Sequence, residues 1–69
     1  MKIRILSDMG EVYDPGTEME GQTLINDYID VLDCRLPEGA SCAKFLRTVD
    51  ENTALRFIHD MWGIDYEEC

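Results

Sequence analysis

Between Leu24 and Leu36 the apolar residues recur at a spacing that only one backbone geometry can use. Advancing ~100° per residue places Leu24, Ile25, Tyr28, Ile29, Val31, Leu32 and Leu36 in one arc about 160° wide. Asn26, Asp27, Asp30 and Asp33 fall in the opposite arc, and only Arg35 is misplaced. An extended chain would put Asp30 on the same face as Leu32, and Asp33 on the same face as Val31. Residues 24–35 are therefore predicted to form an amphipathic helix, with Thr23 as its N-cap. Aspartate, isoleucine, valine and tyrosine are middling or weak helix formers. The helix needs other elements of the chain to pack against.

The rest of the chain offers those elements. "KIRIL" at 2–6 alternates Ile3 and Ile5 with charged residues, the two-residue period of a strand. "SDMG" supplies a turn, and "EVY" at 11–13 is expected to return as the second strand of a hairpin. Residues 14–22, "DPGTEMEGQ", read as a loop broken by Pro15 and Gly16, with Asp14, Glu18 and Glu20 near no base in sequence. A second helix is expected over roughly 38–48, started by Pro37 in its first turn or by Ser41 as cap, with Cys42, Phe45, Leu46 and Val49 on its apolar side. "DENTALRFIHDMWG" holds the clearest helix. Asp50 stands at the cap, Glu51 suits the positive end of the dipole, and Gly63 fits the stop. Its apolar arc is Ala54, Leu55, Phe57, Ile58, Met61 and Trp62. The final "IDYEEC" is expected to add an edge strand or to fray as an acidic tail. Together these predict one α+β domain over residues 1–69: a small antiparallel sheet with two to three helices on one face.

Charge narrows the function. Fifteen acids against six bases leave −9 over 69 residues. Duplex DNA carries one charge per ~1.7 Å, so this excess matches roughly 15 Å of duplex. Such a chain repels nucleic acid and anionic membrane and attracts cationic protein surfaces, which are often those that bind nucleic acid. A chain this short leaves about 40% of its unfolded surface exposed and has little room to enclose a substrate. "MKIRILSDMG" has too short an apolar run for a signal peptide, and no stretch approaches a membrane span. Cys34, Cys42 and Cys69, odd in number and without a CxxC, are expected to be free thiols in a reducing cytoplasm.

Few residues suggest chemistry. His59 falls at the polar edge of its helix and reads as an ordinary exposed imidazole. Pairing it with Cys42 or Ser41 has no local signature behind it. The cysteines and His59 have zinc-ligand types at spacings that match no finger or knuckle, and the acidic loops lack the calcium-loop pattern. No cofactor or metal is expected. The aspartate stripe carries more weight. A face built for solubility usually mixes signs, because unlike pairs at i,i+4 stabilise by a few tenths of a kcal/mol and like pairs destabilise as much. Asp27, Asp30 and Asp33 are expected to meet a partner's cations. The acids Asp14, Glu18, Glu20, Asp65 and Glu67 extend that surface, and Tyr13 and Tyr66 suit interface anchors.

In size, charge and small α+β make-up, the whole chain resembles the acidic anti-CRISPR and DNA-mimic inhibitors encoded by bacteriophages and mobile elements. Asp27, Asp30 and Asp33, the acidic loop around Glu18 and Glu20, and the tail around Asp65 and Glu67 carry the likeness. The resemblance implies a non-enzymatic inhibitor in the host bacterial cytoplasm that occupies a basic nucleic-acid channel, for example of a CRISPR effector. Lys44, Arg47 and Arg56 depart from a fully one-sided mimic. An alternative from the residues themselves is an adaptor or antitoxin-like module that binds through an apolar groove, with an exposed patch around Trp62 or Tyr28.

Overall fold

A computed structural model describes residues 1–35 and 37–69. The element order is β1 (Lys2–Asp8), β2 (Glu18–Glu20), α1 (Gly21–Asp33), α2 (Ala40–Thr48), α3 (Glu51–Trp62) and β3 (Ile64–Glu68). The three strands form an antiparallel sheet in the order β2-β1-β3. This is the α+β architecture expected, and the C-terminal segment is the edge strand rather than a frayed tail. No helix among the described residues is long and apolar enough to cross a membrane.

Strand alternation sets the two faces of the sheet. Ile3 and Ile5 of the central strand are fully buried and join Leu24, Ile25, Leu55, Ile58 and Ile64 in the core. Met19 opposite Ile3 and Tyr66 opposite Ile5 pack on the same side. Lys2 and Arg4 therefore point the other way, between Glu20 and Glu18 on β2 and Glu67 on β3. A bulge between Ile5 and Ser7 brings Ser7 opposite Asp65, the added residue that bends and twists such a strand.

The hairpin's second strand is not at 11–13. Asp8 overrides the alternation there. Its carboxylate accepts the backbone N–H groups of Gly10 (2.9 Å), Val12 (3.0 Å) and Tyr13 (3.0 Å), which coils the segment instead of extending it. Glu11 takes a left-handed φ of 56° inside this coil. The return strand forms later, at Glu18–Glu20, inside the stretch expected to be loop.

The helices show what packing adds to pattern. α1 starts at Gly21, directly after β2, so Glu20 and not Thr23 occupies the N-cap position. Leu36, placed by its spacing on the apolar arc of this helix, lies outside the described residues. α2 is capped by neither Pro37 nor Ser41, and Gly39 stands at its N-cap. A β-carbon on Gly39 would lie 2.2 Å from the Leu32 carbonyl oxygen. Glycine is required because the start of α2 closes onto the end of α1. Ala43 and Leu46 are the buried residues of α2, whereas Phe45, expected inward, is exposed. α3 matches expectation at both ends. Asp50 precedes it, although without a side-chain cap bond, and Gly63 stops it at φ 69° with its N–H on the His59 carbonyl. Met61 was placed on the inner arc, yet it is 57% exposed, because its helix packs on α1 and β3 through the Ala54–Leu55–Ile58 side.

Candidate functional site

The acids expected to act together fall into two groups. The first lies on the outer face of the sheet. Arg4, central on β1, donates to Glu67 on one side (2.9 Å) and to Glu18 on the other (3.2 Å). Lys2 adds a second cation to Glu18 at 3.3 Å. These two bases hold the Glu18 carboxyl below the usual carboxylate range, and Glu18 in turn raises Arg4. Glu20 lies 3.4 Å from the Met1 amine. Asp65 accepts from the Ser7 hydroxyl at 3.1 Å and lies 3.1 Å from His59 Nδ1. Bases absent from the neighbouring sequence thus arrive across the strands.

His59 is half-buried rather than freely exposed, with Nδ1 2.8 Å from the Ile64 carbonyl. Ser7, Asp65 and His59 contain the residue types of a hydrolytic triad in the wrong order. The carboxylate sits in the middle, so no base touches the serine hydroxyl. Among the described residues no cluster of three or more His, Cys, Asp or Glu side chains is placed to hold a metal. The three cysteines are free.

The second group lies on α1 and the loop before β2. The stripe is not uniform. Asp33 pairs with Arg47 of α2, and Asp27 accepts the Tyr13 hydroxyl at 2.7 Å. Asp30 and Asp14 are exposed, and neither carboxylate has an ion-pair or hydrogen-bond partner among the described residues. Glu11, in the coil that Asp8 organises, is exposed as well.

Between these two elements lies a cleft of about 270 Å³. Tyr28 and Trp62 meet in it at 4.7 Å between ring centroids, and Val12, Tyr13 and Val31 line it with them. Asp8, Asp27 and Arg35 supply its charged groups. Burial, then the bond to Asp27, pushes the Tyr13 hydroxyl well above the usual tyrosine range, and burial pushes Tyr28 up to about 12. Both phenols are neutral throughout the physiological range. Tyr66 does not join this site. It packs on the helix side of the sheet, 6.5 Å from the His59 ring.

Sequence reading did not single out Asp8, Val12 or Val31 as site residues. Asp8 followed by two glycine-compatible turn positions is an available signal, since aspartate bonds its own downstream amides. Val31 sits at the edge of the apolar arc, where a helical wheel cannot separate core from rim.

No protein-family model, curated protein or solved structure matches this chain. A functional reading therefore rests on the residues and their geometry alone.

Proposed function

We propose that the chain is a non-enzymatic acidic inhibitor that occupies a cationic protein surface of the kind that binds nucleic acid. Its carboxylates would stand where backbone phosphates otherwise stand, as in the strand-binding channel of a CRISPR effector, and would form charge-assisted hydrogen bonds with lysine and arginine. The observation that carries this reading is the contrast between paired acids on the sheet and free acids on α1 and the loop before β2. The outer sheet face is largely matched by Lys2, Arg4 and the Met1 amine. The side built by α1 and the 8–14 loop keeps Glu11, Asp14, Asp27 and Asp30 without a salt bridge among the described residues. Interfaces use such complementarity for fast and specific encounter.

The test uses the two acids that hold nothing in the fold. Purified protein is immobilised and exposed to bacterial lysate at low and high salt, alongside the Asp14→Lys/Asp30→Lys variant. The expected result is retention of a DNA- or RNA-handling protein that is lost at high salt and lost in the variant. Equal retention by the variant removes this surface from the contact.

A second reading, an interaction module that binds through an apolar groove, is favoured by the cleft at Tyr28 and Trp62. It predicts retention that survives high salt.

A further inference from the structure

The cleft has a particular combination of properties. Its aromatic floor is the end of a longer run: Phe45 and Phe57 lie 4.8 Å apart, Phe57 and Trp62 5.8 Å, and Trp62 and Tyr28 4.7 Å. Its walls are apolar and open to solvent. Val12 is 72% exposed and Val31 47%, with Met9 and Met61 exposed nearby in the chain. The wall formed by Tyr13 is fixed, because its hydroxyl is held by Asp27 and its backbone N–H by Asp8. Exposed apolar surface rimmed by polar groups marks a place where something binds.

We propose that this cleft is an anchor site for a basic polypeptide segment. One aromatic or long aliphatic side chain enters against Tyr28 and Trp62, and flanking lysines or arginines lie along Asp27 and Asp8, the two carboxylates that line the cleft beside Arg35. The assignment rests on the cationic-partner reading and adds the chemistry that partner must present. Two carboxylates against one guanidinium in the lining, within a chain of net charge −9, select this occupant over the others. A second copy of the chain would bring a further −9 and set like charges against each other at the rim. Nucleic acid is repelled for the same reason. At about 270 Å³ the cleft lies below the roughly 300–1,000 Å³ of sites that enclose a small-molecule ligand. A single anchoring side chain with an electrostatic surround is the arrangement typical of an interface centre.

Trp62 is the chain's single tryptophan, so its fluorescence reports occupancy directly. The probe is a synthetic pentapeptide with one phenylalanine between two pairs of lysines. Two controls replace the phenylalanine by alanine or the lysines by glutamates. The lysine–phenylalanine peptide is expected to change Trp62 emission saturably. The alanine control should bind roughly tenfold more weakly or worse, the size expected for leaving a phenylalanine unburied. The glutamate control should not bind. Val31→Lys and, independently, Val12→Lys set a like charge beside the peptide's lysines from exposed positions and should weaken binding to the same degree with circular dichroism unchanged.

Equal affinity for the phenylalanine and alanine peptides overturns the anchor site and leaves the charge reading standing. Phenylalanine-dependent binding that is indifferent to lysine or glutamate flanks overturns the cationic partner, and this proposal with it. Failure of every peptide to bind at millimolar concentration overturns it too. So does self-association in sedimentation that Val31→Lys abolishes, which would give the cleft to a second copy.

Discussion

Two sets of carboxylates on this molecule live in different electrostatic surroundings. On the outer face of the sheet, Glu18 and Glu67 flank Arg4 like rungs of a ladder, and Lys2 and the Met1 amine complete the match. On α1 and the loop before β2, Asp14 and Asp30 face solvent without a partner among the described residues, and Asp27 accepts from a neutral phenol. The first set neutralises itself within the fold. The second presents charge outward, beside an apolar cleft. Of these two sets, the second has the free charge that an external cation would answer.

The largest expected effect comes from the residue that shapes the second region. Asp8→Ala removes one carboxylate from three backbone amides at once. Bonds to a charged acceptor contribute about 1.5–3 kcal/mol, so urea denaturation should show a loss of about 2 kcal/mol. Hydrogen exchange at Gly10, Val12 and Tyr13 should accelerate together. Unchanged exchange there would mean the loop holds its shape without Asp8.

Alkaline pH probes the same region next. Tyr13 and Tyr28 have folded-state pKa values above their unfolded value of about 10. The unfolded chain gives up these protons first. The stabilisation is therefore intact below pH ~10 and is lost as pH rises through the folded-state values, near 12 for Tyr28. In a Tyr66→Phe background, which leaves these two phenols alone, tyrosinate absorbance should appear only as the fold melts. An early, reversible tyrosinate signal in folded protein would place both rings in solvent.

The sheet face should respond in the opposite pH range and more weakly. The folded-state pKa of Glu18 is lowered, so its contribution is present above the unfolded value of about 4.3 and is lost as pH falls below it through the folded value. Glu18→Gln should lower Tm modestly at pH 7 and not at pH 2. Asp30→Asn should leave Tm unchanged or raise it slightly, since it removes charge repulsion and no bond. Equal effects of the two substitutions would erase the distinction between the faces. Added salt should affect Glu18→Gln less than the parent, because exposed pairs are screened.

The contrast also explains what the sequence could reveal. Helical periodicity made α1 and α3 legible, down to Gly63 as the stop, because burial along one arc is a local property. Period-two alternation likewise marked β1 and β3. Pairing across strands is not local. Arg4 and Glu67 stand 63 residues apart in the chain, so no window could show that the tail's acid already has its base. The misplaced return strand has a different cause. "EVY" alternates acceptably, but Asp8 offers its amides a closer acceptor than a neighbouring strand. Tyr13 suits a half-wet position by residue type, and the structure has it part-buried with its hydroxyl on Asp27. The cleft it walls was not legible, since Tyr13, Val31 and Trp62 meet only through tertiary packing.

The central claim is that the free carboxylates of α1 and the 8–14 loop take up an external cation in preference to the paired acids of the sheet face. The most direct measurement is an NMR titration of the 15N-labelled protein with a short lysine oligomer, which reads where a cation settles without reference to any partner. The account predicts shift changes gathered at residues 11–14 and 26–31, fading as salt is added. Changes of equal size along 18–20 and 65–68 would contradict it.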